Sequence, residues 1–312
     1  MAKRRRSRKK LTPTRAQKVV SLLCAAILVI ASAAAVIARY GDQIIETLDL
    51  PGSAQATGGA LQVHILDVGN ADSILVTKDG QSLLIDAAEN KSADTVIAYL
   101  QSKGISRLNY VIATHADADH IGGMDEVVNT FPIDTFLMAA MPEDATPTTK
   151  TYLKLLNALD AQGLRVTEAK PGQSYPLGGA TLSILGPAGE FEDTNEMSVV
   201  CRVDFGSRGF LFMGDAEKEA EDALLSSGAN LRADFLKVGH HGSNSSTQEE
   251  FIAAVRPQYA AISCGVDNPY GHPASETLNT LEKYNVQAYR CDLNGTIDLS
   301  CDGEIIAVTT EK

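Results

Sequence analysis

Two catalytic signatures are missing from this 312-residue chain. It has no Gly-x-Ser-x-Gly elbow, which would hold an activated serine, and no Gly-x-x-x-x-Gly-Lys loop, which would cradle a nucleotide phosphate. A serine nucleophile of the elbow type and a nucleotide cofactor are therefore not expected. Cysteine is sparse, at five residues, and no Cys-x-x-Cys pair occurs, which argues against a structural zinc site. Cys24 lies near the N-terminus, while Cys201, Cys264, Cys291 and Cys301 lie in the body of the chain. Cys291 and Cys301 flank a glycine-containing turn and could face each other across a hairpin; free thiols fit the sequence equally well. Beyond residue 39 basic residues are scarce, 17 against 39 acidic ones, a net of −22. A domain so acidic does not attract nucleic acid through its overall field, which weighs against a simple DNA-coating role. Bound metal ions would reverse the sign locally.

The first 39 residues are the opposite. They hold ten Lys or Arg and no acid. Residues 1–18 read as a basic arm, and residues 19–38 as an uncharged run without Pro or Gly, long enough to cross a bilayer as a helix. Basic residues before such a run predict a cytoplasmic N-terminus, with the rest of the chain outside: a single-pass protein of the cell membrane. A nucleic-acid arm would explain the charge but not the apolar run. A cleaved signal peptide would explain both, but its apolar region is usually shorter. An uncleaved anchor is the reading adopted. Residues 39–59 then form a flexible linker ending Thr57-Gly58-Gly59, and residues 60–312 form one domain large enough for a sizeable core.

The chemistry concentrates in Thr114-His115-Ala116-Asp117-Ala118-Asp119-His120. Four potential metal ligands fall within six residues, behind the apolar run Tyr110–Ala113 and ahead of a helical pattern at Met124–Val128. The spacing predicts a strand-to-helix loop, which converges ligands on one point. Two imidazoles and two carboxylates suit a borderline divalent ion, or two ions sharing a site. Phe210–Met213 repeats the layout and ends in Gly214-Asp215, where Asp215 is a candidate bridging carboxylate. Leu236–Val238 does so again, ending in Gly239-His240-His241-Gly242. Adjacent histidines diverge, so one would bind metal while the other acts on substrate or packs. His272, in a rigid Gly-His-Pro loop, could be a ligand, a proton donor or a substrate clamp. Asp67 and Asp72, in Leu66–Ser73 where the first strand ends and the next begins, could orient ligand histidines, or be plain turn residues. His64 lies within that strand and reads as a core or surface residue. Metal-activated water is the best nucleophile on offer.

The pattern of short apolar runs predicts strands at 61–68, 73–77, 82–85, 110–113, 135–138, 181–185, 198–205, 209–213, 234–238, 259–263, 286–289, 295–299 and 304–308. Helical spacing appears at 92–101, 124–128, 149–161, 216–225, 247–255 and 275–283. Strands followed by alternating units indicate an α/β domain with sheets covered by helices.

Together these residues resemble the metallo-β-lactamase superfamily, and within it the extracellular β-lactamase-like domain of the ComEC-type competence proteins. The resemblance rests on Leu66-Asp-Val-Gly-Asn-Ala-Asp-Ser73, Leu84-Ile-Asp-Ala87, His115–His120, Asn195-Glu-Met-Ser198, Met213-Gly-Asp-Ala-Glu217, Gly239-His-His-Gly-Ser243 and Tyr270-Gly-His-Pro273. It covers residues 60 to about 308. It implies an αββα sandwich, preceded here by one transmembrane helix, with one or two divalent ions along one edge. His115, Asp117, Asp119, His120, Asp215 and His240 would hold those ions. Asp119 would also orient the attacking water, while His241 and His272 would contact substrate or protonate the leaving group. The superfamily pattern is His-x-His-x-Asp-His, with a further histidine before the Gly-Asp strand. Here Asp117 replaces the second His, and no histidine lies between His120 and His240, a region where Asn195 or Ser198 would stand in. The richer oxygen content tilts the site from zinc towards manganese. The implied activity is a metal-dependent extracytoplasmic hydrolase of phosphodiesters, with DNA among the possible substrates. Hydrolysis of a small ester, lactone or phosphoester, and a non-catalytic metal-binding module, are the alternatives.

Overall fold

Continuous apolar strands such as Ile74-Leu-Val76 and Phe210-Leu-Phe212 must be covered on both faces, because successive side chains point to opposite sides. The computed structural model, which describes residues 59–140 and 146–312, shows how this is done. The basic arm, the apolar run and linker residues 39–58 lie outside the described residues. Among the described residues, no helix is long and apolar enough to cross a membrane.

The first half of the domain supplies β1 (Leu61–Ile65), β2 (Ile74–Lys78), β3 (Gln81–Ile85), β4 (Leu108–Ala113), β5 (Ile133–Met138) and β6 (Val166–Glu168). With β14 (Ile297–Cys301) and β15 (Ile306–Thr310) they form an eight-stranded sheet ordered β15-β14-β1-β2-β3-β4-β5-β6. The second sheet has seven strands. These are β7 (Ser174–Leu177), β8 (Ala180–Ile184), β9 (Cys201–Phe205), β10 (Arg208–Phe212), β11 (Phe235–Lys237), β12 (Tyr259–Ile262) and β13 (Gln287–Arg290), ordered β13 to β7. In each sheet an antiparallel half adjoins a parallel half: β3 to β6 run parallel in one, and β10 to β13 in the other.

The alternation along each strand builds three cores. Val63, Ile74, Val76, Ile85 and Ile112 meet Leu182, Val203, Phe210 and Phe212 between the sheets. Leu75, Leu84 and Val111, on the other face of the first sheet, pack under α1 (Ala93–Ser102), α3 (Met124–Thr130) and α4 (Lys150–Ala161) through Val96, Val127 and Leu155. Leu211, Leu236 and Ala260 do the same under α5 (Lys218–Ser227), α6 (Glu249–Val255) and α7 (Ser275–Lys283). The result is the expected αββα sandwich. Truncating Phe212, fully buried between the sheets, to Ala would cost about 3–5 kcal/mol.

Four elements escape the sequence pattern: β6, β7 and the short helices α2 (Ala118–Ile121) and α8 (Cys291–Asn294). The two strands are three and four residues long and largely exposed, so they carry no apolar signature. The first strand stops at Ile65, three residues before its predicted end, where the chain turns and Leu66 N–H donates to Ser73 O. Cys201, Cys264, Cys291 and Cys301 are buried free thiols. Cys291 opens α8 and Cys301 ends β14 opposite Leu61 and Ile306, so the two do not face each other across a hairpin. His64 is buried in β1, its Nδ1 2.6 Å from Asp298 Oδ1.

Candidate metal centre

In both sheets the parallel strands end at the same edge of the sandwich, the place where α/β folds gather ligands. Asp86 follows β3, Thr114 and His115 follow β4, Gly214 and Asp215 come just after β10, and His240 and His241 come just after β11. The loop after β4 runs into the short helix α2 (Ala118–Ile121), which carries Asp119 and His120. Asp117 stands at its N-cap position with no side-chain capping bond, so it is not a helix-capping acid. The tight packing of this loop needs Gly122. A Cβ there would sit 2.3 Å from both Ala118 O and Asn90 N.

One donor atom from each of Asp119, His120, Asp215 and His241 lies within 4.8 Å of the other three. His120 Nε2 is 3.2 Å from Asp215 Oδ1, and His241 Nε2 is 3.4 Å from Asp215 Oδ2 and 3.3 Å from Asp119 Oδ2. Buried and without a hydrogen-bond partner are His115 Nε2, His120 Nε2, His241 Nε2 and Asp215 Oδ1. Each such orphan costs about 1–3 kcal/mol. Three of these residues, His120, His241 and Asp215, belong to the close cluster, and a cation held there would satisfy them. The donor set, imidazole nitrogen plus carboxylate oxygen, fits a divalent ion.

The outer contacts prepare these lone pairs. His120 Nδ1 is 2.7 Å from Asp86 Oδ2 and His241 Nδ1 is 2.9 Å from the Ser263 carbonyl. Both acceptors require an N–H at Nδ1, so each ring keeps its Nε2 lone pair for the centre. Asp86 itself is pinned by Thr114, whose backbone N–H and hydroxyl donate to its two oxygens. Ser198 Oγ accepts from the Asp215 backbone N–H. Burial alone would raise the Asp215 carboxyl, but positive charge on His120 and His241 would hold it well below the ordinary range. Burial disfavours charge on His120, yet Asp215 and Asp86 together lift it well above the usual imidazole value, so Nε2 carries a proton that a bound ion would displace. His115, buried and close to His120, is pulled down to about 3.

The two adjacent histidines part as expected, but their places differ from the sequence assignment. Both have left-handed backbone, φ 43° at His240 and 51° at His241, which throws the rings apart. His241 points into the four-donor cluster. His240 turns its Nδ1 to Glu217 Oε1 at 2.6 Å, with Nε2 3.8 Å from Asp215 Oδ2. His240 is not among the four mutually close donors; His115 and Asp117 are also outside that set, with His115 Nε2 4.0 Å from Asp117 Oδ2. A cleft of about 190 Å³ opens onto the centre, lined by Asn70, Asp117, Asp119, Asn195, Asp215, His240, His241, Tyr270 and His272. Of the two acids considered as orienters, Asp72 is buried 3.7 Å from His241 Nδ1 and 2.8 Å from Lys237 Nζ. Asp67 instead pairs with Lys312 at 3.1 Å.

Sequence reasoning gave no role to Asp86, Glu217, Glu196 or Lys237. Asp86 had a signal, since it is an acid directly after the apolar run Leu83-Leu84-Ile85, as Asp215 nearly is after Phe210–Met213. Glu196 had none. Its carboxylate accepts from the backbone N–H groups of Glu217, Glu219 and Ala220 at the start of α5.

Residues 66–266 match the model of the metallo-β-lactamase superfamily. The chain belongs to that superfamily. Among curated relatives it is 32% identical over 259 residues to ComE operon protein 3 of Bacillus subtilis (strain 168), covering 76% of this chain and 32% of that protein. It is 31% identical over 238 residues to competence protein ComA of Neisseria gonorrhoeae, covering 75% of this chain and 31% of that protein. The chain thus spans about a third of the length of these relatives. Their names agree with the ComEC-type resemblance. A similar solved structure is the metallo-β-lactamase fold protein YhfI of Bacillus subtilis, with a TM-score of 0.52 at 12% identity, covering 77% of this chain and 99% of that one. This likeness supports the fold alone. Membership of the superfamily implies divalent metal ions, and Asp119, His120, Asp215 and His241 form a candidate site for one.

Proposed function

We propose that this chain is a membrane-anchored, extracytoplasmic hydrolase of phosphodiesters that works with divalent metal ions, manganese or zinc. The observation that carries this reading is the cluster of Asp119, His120, Asp215 and His241, in which His120 Nε2, His241 Nε2 and Asp215 Oδ1 are buried without a partner, beside an open cleft lined by Asp119, Asp215 and His241. In the proposal Asp119, His120, Asp215 and His241 would hold one ion, and His115 and Asp117, 4.0 Å apart, would hold a second. Such ions supply a water of near-neutral pKa and charge stabilisation at a phosphoryl oxygen. Asp119, partly open to the cleft, orients the water. His240, held by Glu217, and His272 face the substrate and are placed to pass a proton to the leaving oxygen. The competence proteins among the relatives make DNA a natural substrate to test.

A second reading, hydrolysis of a small phosphoester or carboxylic ester, draws support from the net charge of −22 beyond residue 39. Among the described residues, no Lys or Arg lines the cleft to hold a long polyanion. The test uses the full-length protein in detergent, stripped of metal and reloaded with manganese or zinc. Single- and double-stranded DNA, bis-p-nitrophenyl phosphate and a simple carboxylic ester are the substrates. Cleavage of DNA and the diester that disappears in Asp119→Ala supports the proposal. Cleavage of the carboxylic ester alone refutes it, as does loss of all metal-dependent turnover in a well-folded wild-type sample.

A further inference from the structure

Tyr270 is an oddity at the rim of this cleft. Tyr270 is 70% exposed, whereas most large apolar side chains among the described residues are buried. Exposure here does not come from a loose loop. Asn268 ties the segment from both ends: its side-chain amide donates to Gly265 O and His272 O, and its Oδ1 accepts from the His272 backbone N–H. Gly271, at φ 72°, makes the reversal that brings the Tyr270 ring over that of His272. The two rings are offset-stacked, 5.8 Å between centroids and 26° between planes. His272 in turn meets His240 edge-on at 5.5 Å. A ladder of rings thus climbs from the metal-facing floor of the cleft to an aromatic face at its mouth.

We infer that Tyr270 is the stacking platform for the nucleobase next to the scissile phosphate, so that the substrates are nucleotide diesters recognised locally at the cleft. The inference rests on the phosphodiesterase reading and narrows it. Its physical basis is the balance of binding terms. The acidic domain repels a long polyanion, and among the described residues no Lys or Arg lines the cleft, so the phosphate is left to the metal ions. The remaining affinity must come from a surface that charge does not oppose. A fixed aromatic face provides this, because every base has a π-face and stacking is indifferent to sequence. The ring is already stacked on His272, so little ordering cost remains when a base arrives.

The test compares two diesters of equal charge: a thymidine dinucleotide, and its analogue with both bases replaced by hydrogen. The full-length, manganese-loaded protein should prefer the base-bearing diester. Tyr270→Ala should cut that preference about 5- to 150-fold, chiefly through KM, and Tyr270→Phe and Tyr270→Trp should keep it. A 2-aminopurine dinucleotide should lose fluorescence on binding the wild type and not Tyr270→Ala. An unchanged preference in Tyr270→Ala, or equal turnover of both diesters by the wild type, overturns the platform and leaves the phosphodiesterase reading standing. A wild type that neither binds nor cleaves any of these diesters overturns both.

Discussion

Asp86 Oδ2 lies 2.7 Å from His120 Nδ1, with both side chains sealed from solvent. One residue closes strand β3 and the other sits on α2, 34 positions later. Together they make a carboxylate–histidine pair whose free nitrogen faces Asp215. The pair fixes the tautomer of a ligand before any ion arrives.

Replacing that acceptor is the first prediction. In Asp86→Asn the amide can present N–H where an acceptor is required, so the His120 ring loses its fixed tautomer. Metal affinity should fall about 10- to 100-fold, measured by competition with a chelator while circular dichroism confirms the fold. An affinity equal to that of the wild type would show that Asp86 serves the fold and not the centre.

The divergent histidines give a second. His241→Ala removes one of the four close donors and should lower bound metal per chain, read by elemental analysis after dialysis. His240→Ala should retain that ion and lose turnover instead. Equal metal loss in the two variants would return His240 to the ligand set.

Glu196 holds the first turn of α5, and the same helix follows Asp215 and Glu217. Glu196→Gln leaves a donor facing backbone N–H groups, so stability should drop by about 1–3 kcal/mol. For a domain of this size the melting temperature would fall by about 2–4 °C per kcal/mol. A melting temperature within 1 °C or so of the wild type, roughly the shift of a neutral surface substitution, would count against the cap.

Glu221, on α5, is buried and accepts from the backbone N–H groups of Thr247 and Gln248. Burial pushes its carboxyl up to about 8, despite those two bonds. Its ordinary value is 4.5, so between these limits the folded state holds a proton that the unfolded chain has released. Stability from this group is therefore full below pH 4.5 and lost as pH rises towards 8. Chemical denaturation at pH 5 and pH 8 should show a decline in the wild type that is smaller in Glu221→Gln. Parallel declines in the two proteins would refute the assignment.

How much of this was legible before folding depends on the range of each signal. Strands buried on both faces, such as β2, β3 and β10, announce themselves through the apolar runs Ile74–Val76, Leu83–Ile85 and Phe210–Phe212, and their ends marked where chemistry would gather. His115, Asp117, Asp119 and His120 stood out because four ligand types in six residues have few other uses. Short exposed strands such as β6 and β7 left no trace, since only pairing with a neighbour makes them strands.

The sequence by itself determined most strands and helices and the loops that carry the chemistry, because periodicity and residue type are local properties; the sandwich was what the family resemblance implied. Only the tertiary structure decided which of His240 and His241 joins the cluster, through two left-handed residues and the separate pulls of Glu217 and the Ser263 carbonyl. It alone brought Asp86 beneath His120 and Asp215 between His120 and His241. Those are contacts between segments dozens of residues apart, set by sheet register and the packing of α2, and a hydrogen bond is decided within a few tenths of an ångström.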